Sequence, residues 1–403
     1  MLNLMELFLN VVQSKLKMGL IGGGGAGFIG RVHVTAATLD REAELVAGAF
    51  SSDPGKSKRH SEEFSISPTR SYGSYTELLD SEMKLPSTER VDFITIATPN
   101  HTHADIAIAA LKSGFHVICD KPMTTNLADA RKLIEAVSES GKIFVLSHNY
   151  SGYPMVRQAR EMIHHGDLGE LLSIRVAYKQ GWMHGLQSGV TPSRGAWKSD
   201  PSKNGLAGSL GDIGTHAFHL LSFVTGLKPA ALMCKMKSFS DHHELDDYGQ
   251  AIIQLSGETM ASVLWSQVSH GRLNDLSIQI DGSRGALSWR QENPNQLTFG
   301  QLGKPTMTYE RHPNADYMTP NAKYASRLPA GHPEAFFEAF ANLYRDAYRK
   351  MRALNEVEDR QPGGVEDLCP TVLDGFDGVR FMHLCLNSNA NGSSWVNWTD
   401  DSE

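Results

Sequence analysis

The spacing of apolar positions changes character once along the chain, close to residue 148. Before that point, short apolar runs at 17–21, 44–50, 91–97, 115–119 and 142–147 alternate with helical patterns, the later ones over about 104–113 and 128–140. Runs of this kind read as strands buried on both faces, and strands separated by helices read as a doubly wound parallel sheet. Beyond Asn149 a helix is predicted over 153–164, and strands then follow at 170–180, 230–239, 248–256, 259–269, 276–282 and 285–290. Helices re-enter at 216–224, 333–352 and 370–389, and the Pro/Asn-rich segment 291–330 is expected to be irregular. The pattern predicts an α/β chain in two domains. Residues 17–148 carry the parallel sheet, residues 149–403 form an α+β domain around an open, largely antiparallel sheet, and residues 1–16 are an N-terminal extension.

Composition narrows the class. A chain of 403 residues is too long for one core. Lys plus Arg number 38 against 45 Asp plus Glu, a net charge of −7, so no general basic field draws in nucleic acid or an anionic membrane. The four cysteines, at 119, 234, 369 and 385, form no C-x-x-C pair, and reduced thiols in a cytoplasmic setting are expected. The opening stretch has an apolar run at 7–12 but includes Glu6 and lacks the basic region and cleavage pattern of a leader. No run approaches the roughly 18 apolar residues of a membrane span.

The first apolar run leads straight into Gly22-Gly23-Gly24-Gly25-Ala26-Gly27-Phe28-Ile29-Gly30 and a helical pattern through Leu39. Strand, glycine loop and helix in that order make a dinucleotide cradle: bare backbone can approach a pyrophosphate, and the helix N-terminus attracts its charge. Two registers fit, Gly22-x-Gly24-x-x-Gly27 and Gly25-x-Gly27-x-x-Gly30. The structural alternative is a flexible glycine turn with no ligand. The residue after the second strand, which ordinarily separates NAD from NADP at the ribose 2′ position, is Ser51. No carboxylate stands there, Asp53 comes two residues late, and Lys56, Lys58 and Arg59 follow, either within reach of a 2′-phosphate or as a solvated helix face. The cofactor is therefore NAD or NADP.

Ligands of open parallel sheets bind beyond the carboxyl ends of the strands, which selects Thr98-Pro99-Asn100-His101-Thr102-His103 and Cys119-Asp120-Lys121-Pro122. Pro122 stops its strand, so the backbone sets the direction of Lys121. In Gly208-Ser209-Leu210-Gly211-Asp212-Ile213-Gly214-Thr215-His216, Asp212 and His216 stand four apart, a spacing that brings two side chains together on a helix surface. A carboxylate beside an imidazole can do acid/base work; alternatively, Asp212 caps the helix and His216 packs beneath it. Tyr150, Tyr153, Trp182 and Trp197, with Lys198 beside it, are of the kind that stacks on sugar faces and equally of the kind that fills a core. Asp241-His242-His243-Glu244, with His164 and His165, lacks a regular ligand spacing, and no metal is expected.

These motifs, in this order and spacing, resemble the Gfo/Idh/MocA family of sugar and cyclitol oxidoreductases over residues 17–400. The resemblance rests on the glycine loop ending Gly30-Arg31-Val32-His33, on the Thr98 and Cys119 motifs just quoted, and on Gly211-Asp212-Ile213-Gly214-Thr215-His216. It implies a Rossmann domain for NAD or NADP and a second domain whose open sheet supplies a substrate floor and usually the interface of a homodimer or homotetramer. By resemblance, Gly22, Gly25, Gly27, Phe28, Ile29, Ser51, Thr98, Pro99, Asn100, His103, Asp120 and Lys121 surround the cofactor. Tyr150, Tyr153, Trp182, Trp197 and Lys198 join Asp212 and His216 around a sugar or cyclitol. Lys121, Asp212 and His216 fall on catalytic positions. The implied reaction moves hydride between a secondary hydroxyl and nicotinamide, with His216 as base and Lys121 polarising the oxygen. Asp212 holds a neighbouring hydroxyl or the geometry of the other two. Two departures stand out: Asp120 replaces a common Glu, and Asn149-Tyr150-Ser151 lacks the arginine that many members carry after Asn-Tyr. Two rivals remain, a non-enzymatic NAD(P)- or sugar-sensing regulator and a redox-neutral glycoside-processing enzyme with retained cofactor. Relatives of the first kind tend to lose the lysine or histidine, and both are present here.

Overall fold

Five parallel strands, β1 (Leu16–Gly22), β2 (Ala43–Ala49), β3 (Phe93–Ala97), β4 (His116–Cys119) and β5 (Phe144–Leu146), lie in the order β2-β1-β3-β4-β5. The structure is a computed structural model that describes residues 14–25, 27–183, 201–239, 244–354 and 364–399. β3, β4 and β5 are buried along their whole length, which is why they are written as unbroken apolar runs. The connecting helices are α1 (Phe28–Thr38), α2 (Pro54–Glu63), α3 (Tyr75–Glu82), α4 (His103–Lys112) and α5 (Leu127–Ser140). Asp53, Ser74 and Asn126 cap α2, α3 and α5, each accepting from a backbone N–H three residues on. Strand order turns back on itself between β1 and β3, and an open α/β sheet has its binding crevice at such a switch point.

The second sheet has nine strands: β6 (Leu171–Lys179), β7 (Pro229–Lys237), β8 (Tyr248–Leu255), β9 (Met260–Ser266), β10 (Asp275–Gly282), β11 (Gly285–Arg290), β12 (Gln296–Gln301), β13 (Met307–Glu310) and β14 (Val396–Asn397). Their order is β13-β12-β11-β10-β6-β9-β8-β7-β14, antiparallel throughout except where β6 meets β9. The helices of this half are α6 (Pro154–His164), α7 (Thr215–Thr225), α8 (Phe336–Ala353) and α9 (Val372–Ala390). In β8 the residues Gly249, Ala251, Ile253 and Leu255 are buried while Gln250, Ile252 and Gln254 between them are exposed. One face of the sheet thus packs on α6, α7 and α9, and the other is left open.

The segment 291–330 corrects the sequence reading, because it carries β12, β13 and a short helix over Pro320–Tyr324. β12 completes the ladder of β11, and Leu297 and Phe299 bury themselves in the core. Their alternation is too short to stand out from the Pro and Asn around it.

The last parallel strand ends at Leu146, yet the core of the first unit takes in residues from far along the chain. α8 lies along α1, and its Phe340, Tyr344, Tyr348 and Met351 share one apolar cluster with Met18, Leu20, Phe93 and Val145. Tyr348 donates to the Ala37 carbonyl at 2.9 Å. Arg157 of α6 and Asp346 of α8, both fully buried, pair at 2.6 Å. Removing either partner would leave an uncompensated buried charge, a loss of about 3–5 kcal/mol. Shared helices therefore hold the two sheets together.

Candidate active site

The cradle forms where β1 gives way to α1. Gly22, Gly23 and Gly25 hold φ of 85°, 71° and 66°, a region in which a side chain is strained. A Cβ on Gly30 would lie 2.4 Å from Gly23 Cα, so Gly30 is the residue that lets the helix close on the strand end. That choice selects Gly25-x-Gly27-x-x-Gly30 on the helix side, with Gly22 and Gly23 as the turn leaving the strand. Gly22 itself presses on β3, where a Cβ would sit 2.5 Å from the Ala97 carbonyl oxygen. Gly27 opens α1 without a side-chain cap, and the first turn holds no acidic residue. The free N–H groups and positive end of the helix fit the pyrophosphate of a dinucleotide. Phe28 is exposed and Ile29 half-buried beside them. At the end of β2, Ser51 Oγ accepts from Asp53 N at 3.2 Å, while the Asp53 carboxylate accepts from Lys56 N at 2.8 Å and so serves α2.

Two strand ends are tied together behind this crevice. His103, expected beside the cofactor, is fully buried, with its ring nitrogens 2.8 Å from the Pro122 carbonyl and 2.9 Å from that of Thr98. It holds the loops after β3 and β4 in place and offers no surface to a ligand. Asn100 donates to Asn204 Oδ1 at 2.8 Å, and Asn204 donates to the Ala207 carbonyl at 3.0 Å, which links the Thr98-Pro99 loop to the segment that leads to Asp212. Asp120 accepts from Lys121 N at 2.9 Å and from Ser147 Oγ at 2.7 Å, with His33 Nε2 at 3.9 Å. Burial works against its charge, but His33, Lys121 and Ser147 outweigh burial and hold the carboxyl below the usual carboxylate range.

Lys121 and Asp212 meet across the crevice. Lys121 Nζ donates to the Asp212 carbonyl at 2.6 Å and reaches Oδ1 at 3.1 Å, while Asp212 Oδ2 accepts from Gln267 Nε2 at 2.7 Å. Asp212 lies in a π-turn, Leu210–Gly214, that feeds α7, so it and His216 are not four apart along one regular helix face. It does not cap the helix, since the amides of Gly208 and Leu210 are taken by Asp246. His216, the second residue of α7, is 7% exposed, and its buried Nδ1 has no hydrogen-bond partner among the described residues. Its ring meets Tyr150 edge-on at 4.9 Å and His148 at 5.5 Å. Burial first, and then the Lys121 charge, push its pKa well below 6.5 against the pull of Asp212 and Asp120. The imidazole is therefore neutral at pH 7 and able to take a proton.

Around this cluster, beside Tyr150 and Trp182, stand Tyr178, Gln180, Gln267 and Asn274, which the sequence reading missed. The hydroxyls of Tyr150 and Tyr178 meet at 2.5 Å. Tyr178 and Gln180 both donate to Asn274 Oδ1 at 2.7 Å, and Trp182 donates to Gln180 at 2.9 Å. Gln180, Gln267 and Asn274 lie just beyond β6, just beyond β9 and just before β10, one end of the same sheet. The available signal was a polar side chain at the end of each apolar strand. Tyr153, expected to touch substrate, is fully buried behind Tyr150 and tilted against Trp289 at 5.3 Å. It supports the site from the core. Trp182 is 39% exposed, so it can still meet a ligand at the rim. Trp197, Lys198 and Asp241-His242-His243 lie outside the described residues. Among the described residues no group of three His, Cys, Asp or Glu could hold a metal ion, and no helix is long and apolar enough to cross a membrane.

Residues 16–150 match the description oxidoreductase family, NAD-binding Rossmann fold, and residues 156–288 match the GFO/IDH/MocA C-terminal domain. The chain belongs to the Gfo/Idh/MocA family. It is 32% identical to an inositol dehydrogenase homolog of Azotobacter vinelandii complexed with NAD+, at a TM-score of 0.89 over 95% of this chain and 97% of that one. A structure of an inositol dehydrogenase homolog from the same organism, complexed with NADH and myo-inositol, gives a TM-score of 0.86 over 95% and 98%, also at 32% identity. The uncharacterized oxidoreductase YfiI of Bacillus subtilis (strain 168) is 28% identical over 96% of this chain and 98% of its own length. Levoglucosan dehydrogenase of Pseudarthrobacter phenanthrenivorans is 26% identical over 71% of this chain and 76% of its own. As a Gfo/Idh/MocA member, the chain is an oxidoreductase with a NAD-binding Rossmann domain.

Proposed function

We propose that this chain is a dehydrogenase of a secondary hydroxyl on a cyclitol or sugar ring, using NAD or NADP, with His216 as base and Lys121 as electrophile. The observation that carries the reading is one cluster: the Lys121 ammonium paired with Asp212 at the end of β4, and the His216 imidazole, whose pKa burial and Lys121 lower and Asp212 raises. When bound, the nicotinamide supplies the acceptor for hydride. His216 takes the hydroxyl proton, for which a neutral imidazole is suited. Lys121 donates to the same oxygen and stabilises the negative charge that grows there as the proton leaves. Asp212 keeps the ammonium in place through two oxygens, and Gln267 keeps Asp212 in place.

The substrate class rests on the lining and on the relatives. Carboxamides of Gln180, Gln267 and Asn274, with the hydroxyls of Tyr150 and Tyr178, can each give and accept hydrogen bonds, which matches the alternating hydroxyls of a ring polyol. The relatives named as an inositol dehydrogenase homolog and a levoglucosan dehydrogenase support the same class. The open face of the nine-stranded sheet, with Ile252 and Met260 each about two-fifths exposed, supports a homodimer or homotetramer. Four buried free thiols support a cytoplasmic setting.

The test is reduction of added NAD+ and NADP+ by purified protein across inositols, pyranoses and glycosides. The reading expects NADH or NADPH to form with one ring class. Cofactor binding with no turnover across the panel would overturn the dehydrogenase, and failure to bind either cofactor would overturn the cradle.

A further inference from the structure

The catalytic turn is held from outside. Asp246, in the segment that leads into β8, is 8% exposed and touches neither Lys121, Asp212 nor His216 by any hydrogen bond. Its carboxylate instead collects four donors. Gly208 N reaches Oδ1 at 2.6 Å, while Ser209 Oγ at 2.6 Å, Leu210 N at 2.8 Å and Trp265 Nε1 at 3.0 Å all reach Oδ2. The Asp246 carbonyl also accepts from Ser209 N at 2.8 Å. The approach is close enough that a Cβ on Gly208 would fall 2.3 Å from that carbonyl oxygen.

What these bonds secure is the start of the π-turn Leu210–Gly214, which has no side-chain cap of its own and delivers Asp212 and then His216. An anion bound to the first free amides of a helical segment satisfies them and complements the dipole, and charge-assisted bonds are the stronger kind. Trp265, one of the four donors, is fully buried against Gly214, two residues past Asp212. The neighbouring Asp247 carbonyl accepts from Gln267 N at 2.9 Å, and Gln267 in turn donates to Asp212. The Asp246-Asp247 pair thus braces Asp212 from the backbone side and from the side-chain side.

We propose that Asp246 is the positioning residue of the catalytic turn, its carboxylate fixing Gly208 to Leu210 and through them the placement of Asp212 and His216 against Lys121. The inference rests on the dehydrogenase reading given above.

The test is Asp246→Asn, which keeps the shape but sets an NH2 among converging donors. Turnover per cofactor-binding site should fall by about 10- to 100-fold while the dissociation constants for NAD and NADP stay within about twofold of wild type. A residue that served global stability alone would lower the melting temperature and the number of binding sites and leave turnover per site unchanged. That result overturns the proposal. Should Asp246→Asn fail to fold, Ser209→Ala decides, because it removes one donor and leaves the carboxylate: roughly threefold lower turnover at unchanged cofactor affinity is expected, and unchanged turnover overturns the proposal. If the wild-type protein oxidises no ring polyol, the dehydrogenase reading fails by itself. Hydrogen exchange then decides the positioning role. Amides over 208–216 should exchange about tenfold faster in Asp246→Asn than in wild type with those of α6 unchanged, and equal protection overturns it.

Discussion

Lys121 meets Asp212 twice, once at the backbone carbonyl at 2.6 Å and once at the carboxylate at 3.1 Å, across 91 residues of chain. Both side chains are more than four-fifths buried, so solvent screens the pair far less than it would a surface ion pair. One strand end of the parallel sheet is thereby pinned to the turn that carries Asp212 and leads to His216.

Replacing Lys121 with Met removes the ammonium and keeps the length of the chain. Turnover should fall by about 10²- to 10³-fold, the range for losing a donor aimed at a developing oxyanion. Steady-state rates with the best ring substrate check it. A loss under threefold would remove Lys121 from its role.

The pH profile reports on His216. Burial and Lys121 lower its pKa well below 6.5, so the base form persists as the solution is acidified through that value. The acid limb of kcat for alcohol oxidation is expected below pH 6.5. His216→Ala should lose about a hundredfold or more in turnover, with cofactor binding near normal. An acid limb above pH 6.5 in the wild type would contradict the assignment.

The buried histidines also make the fold acid-labile. Burial pushes His116 down to about 4, and lowers His103, His148, His216 and His219 as well. In the unfolded chain each titrates near 6.5, so below that pH the unfolded state binds more protons and the folded state is penalised. Stability is present in full above about pH 6.5 and is lost as the pH falls toward the folded values, by up to about 1.4 kcal/mol per pH unit for each group. Melting temperatures between pH 7.5 and 4.5 should drop steeply on the acid side. A flat profile would mean that these rings are not buried as neutral groups.

Ser51 is the position proposed for cofactor choice. It stands just past β2, and the Asp53 carboxylate two residues on accepts from Lys56 N at the N-terminus of α2. Ser51→Asp should weaken NADP by about tenfold or more relative to NAD, through repulsion of the 2′-phosphate. Titration of both cofactors by nicotinamide fluorescence reads it. An equal loss for both would place Ser51 away from the ribose.

Much of this protein was legible in one dimension. Apolar runs of the first half marked all five parallel strands, and the alternation of the second half marked an open antiparallel sheet, because burial on one or two faces imposes its period within a few residues. The glycines around Gly27, the lysine at a strand end and the Asp212/His216 spacing were visible for the same reason: turns, strand ends and helix starts are local.

Other features were settled only by the tertiary structure. Asp212 was read as a partner on a regular helix face or as a cap, but the carboxylate that takes the amides at the start of the turn is Asp246, 36 to 38 positions along the chain from Gly208, Ser209 and Leu210. Gln267 reaches Asp212 from 55 residues away, and Asn274 reaches Tyr150 from 124. His103 and Tyr153 carry the right chemistry at the right place in the sequence and yet lie buried behind the site. α8 returns from the far end of the chain to close the core under β1 and β3. No periodicity records these meetings, since a period reports which side of an element is buried and says nothing of which distant element covers it. Local backbone chemistry wrote the elements and the motifs, and the packing of those elements decided which side chains face the crevice and which hold it in shape.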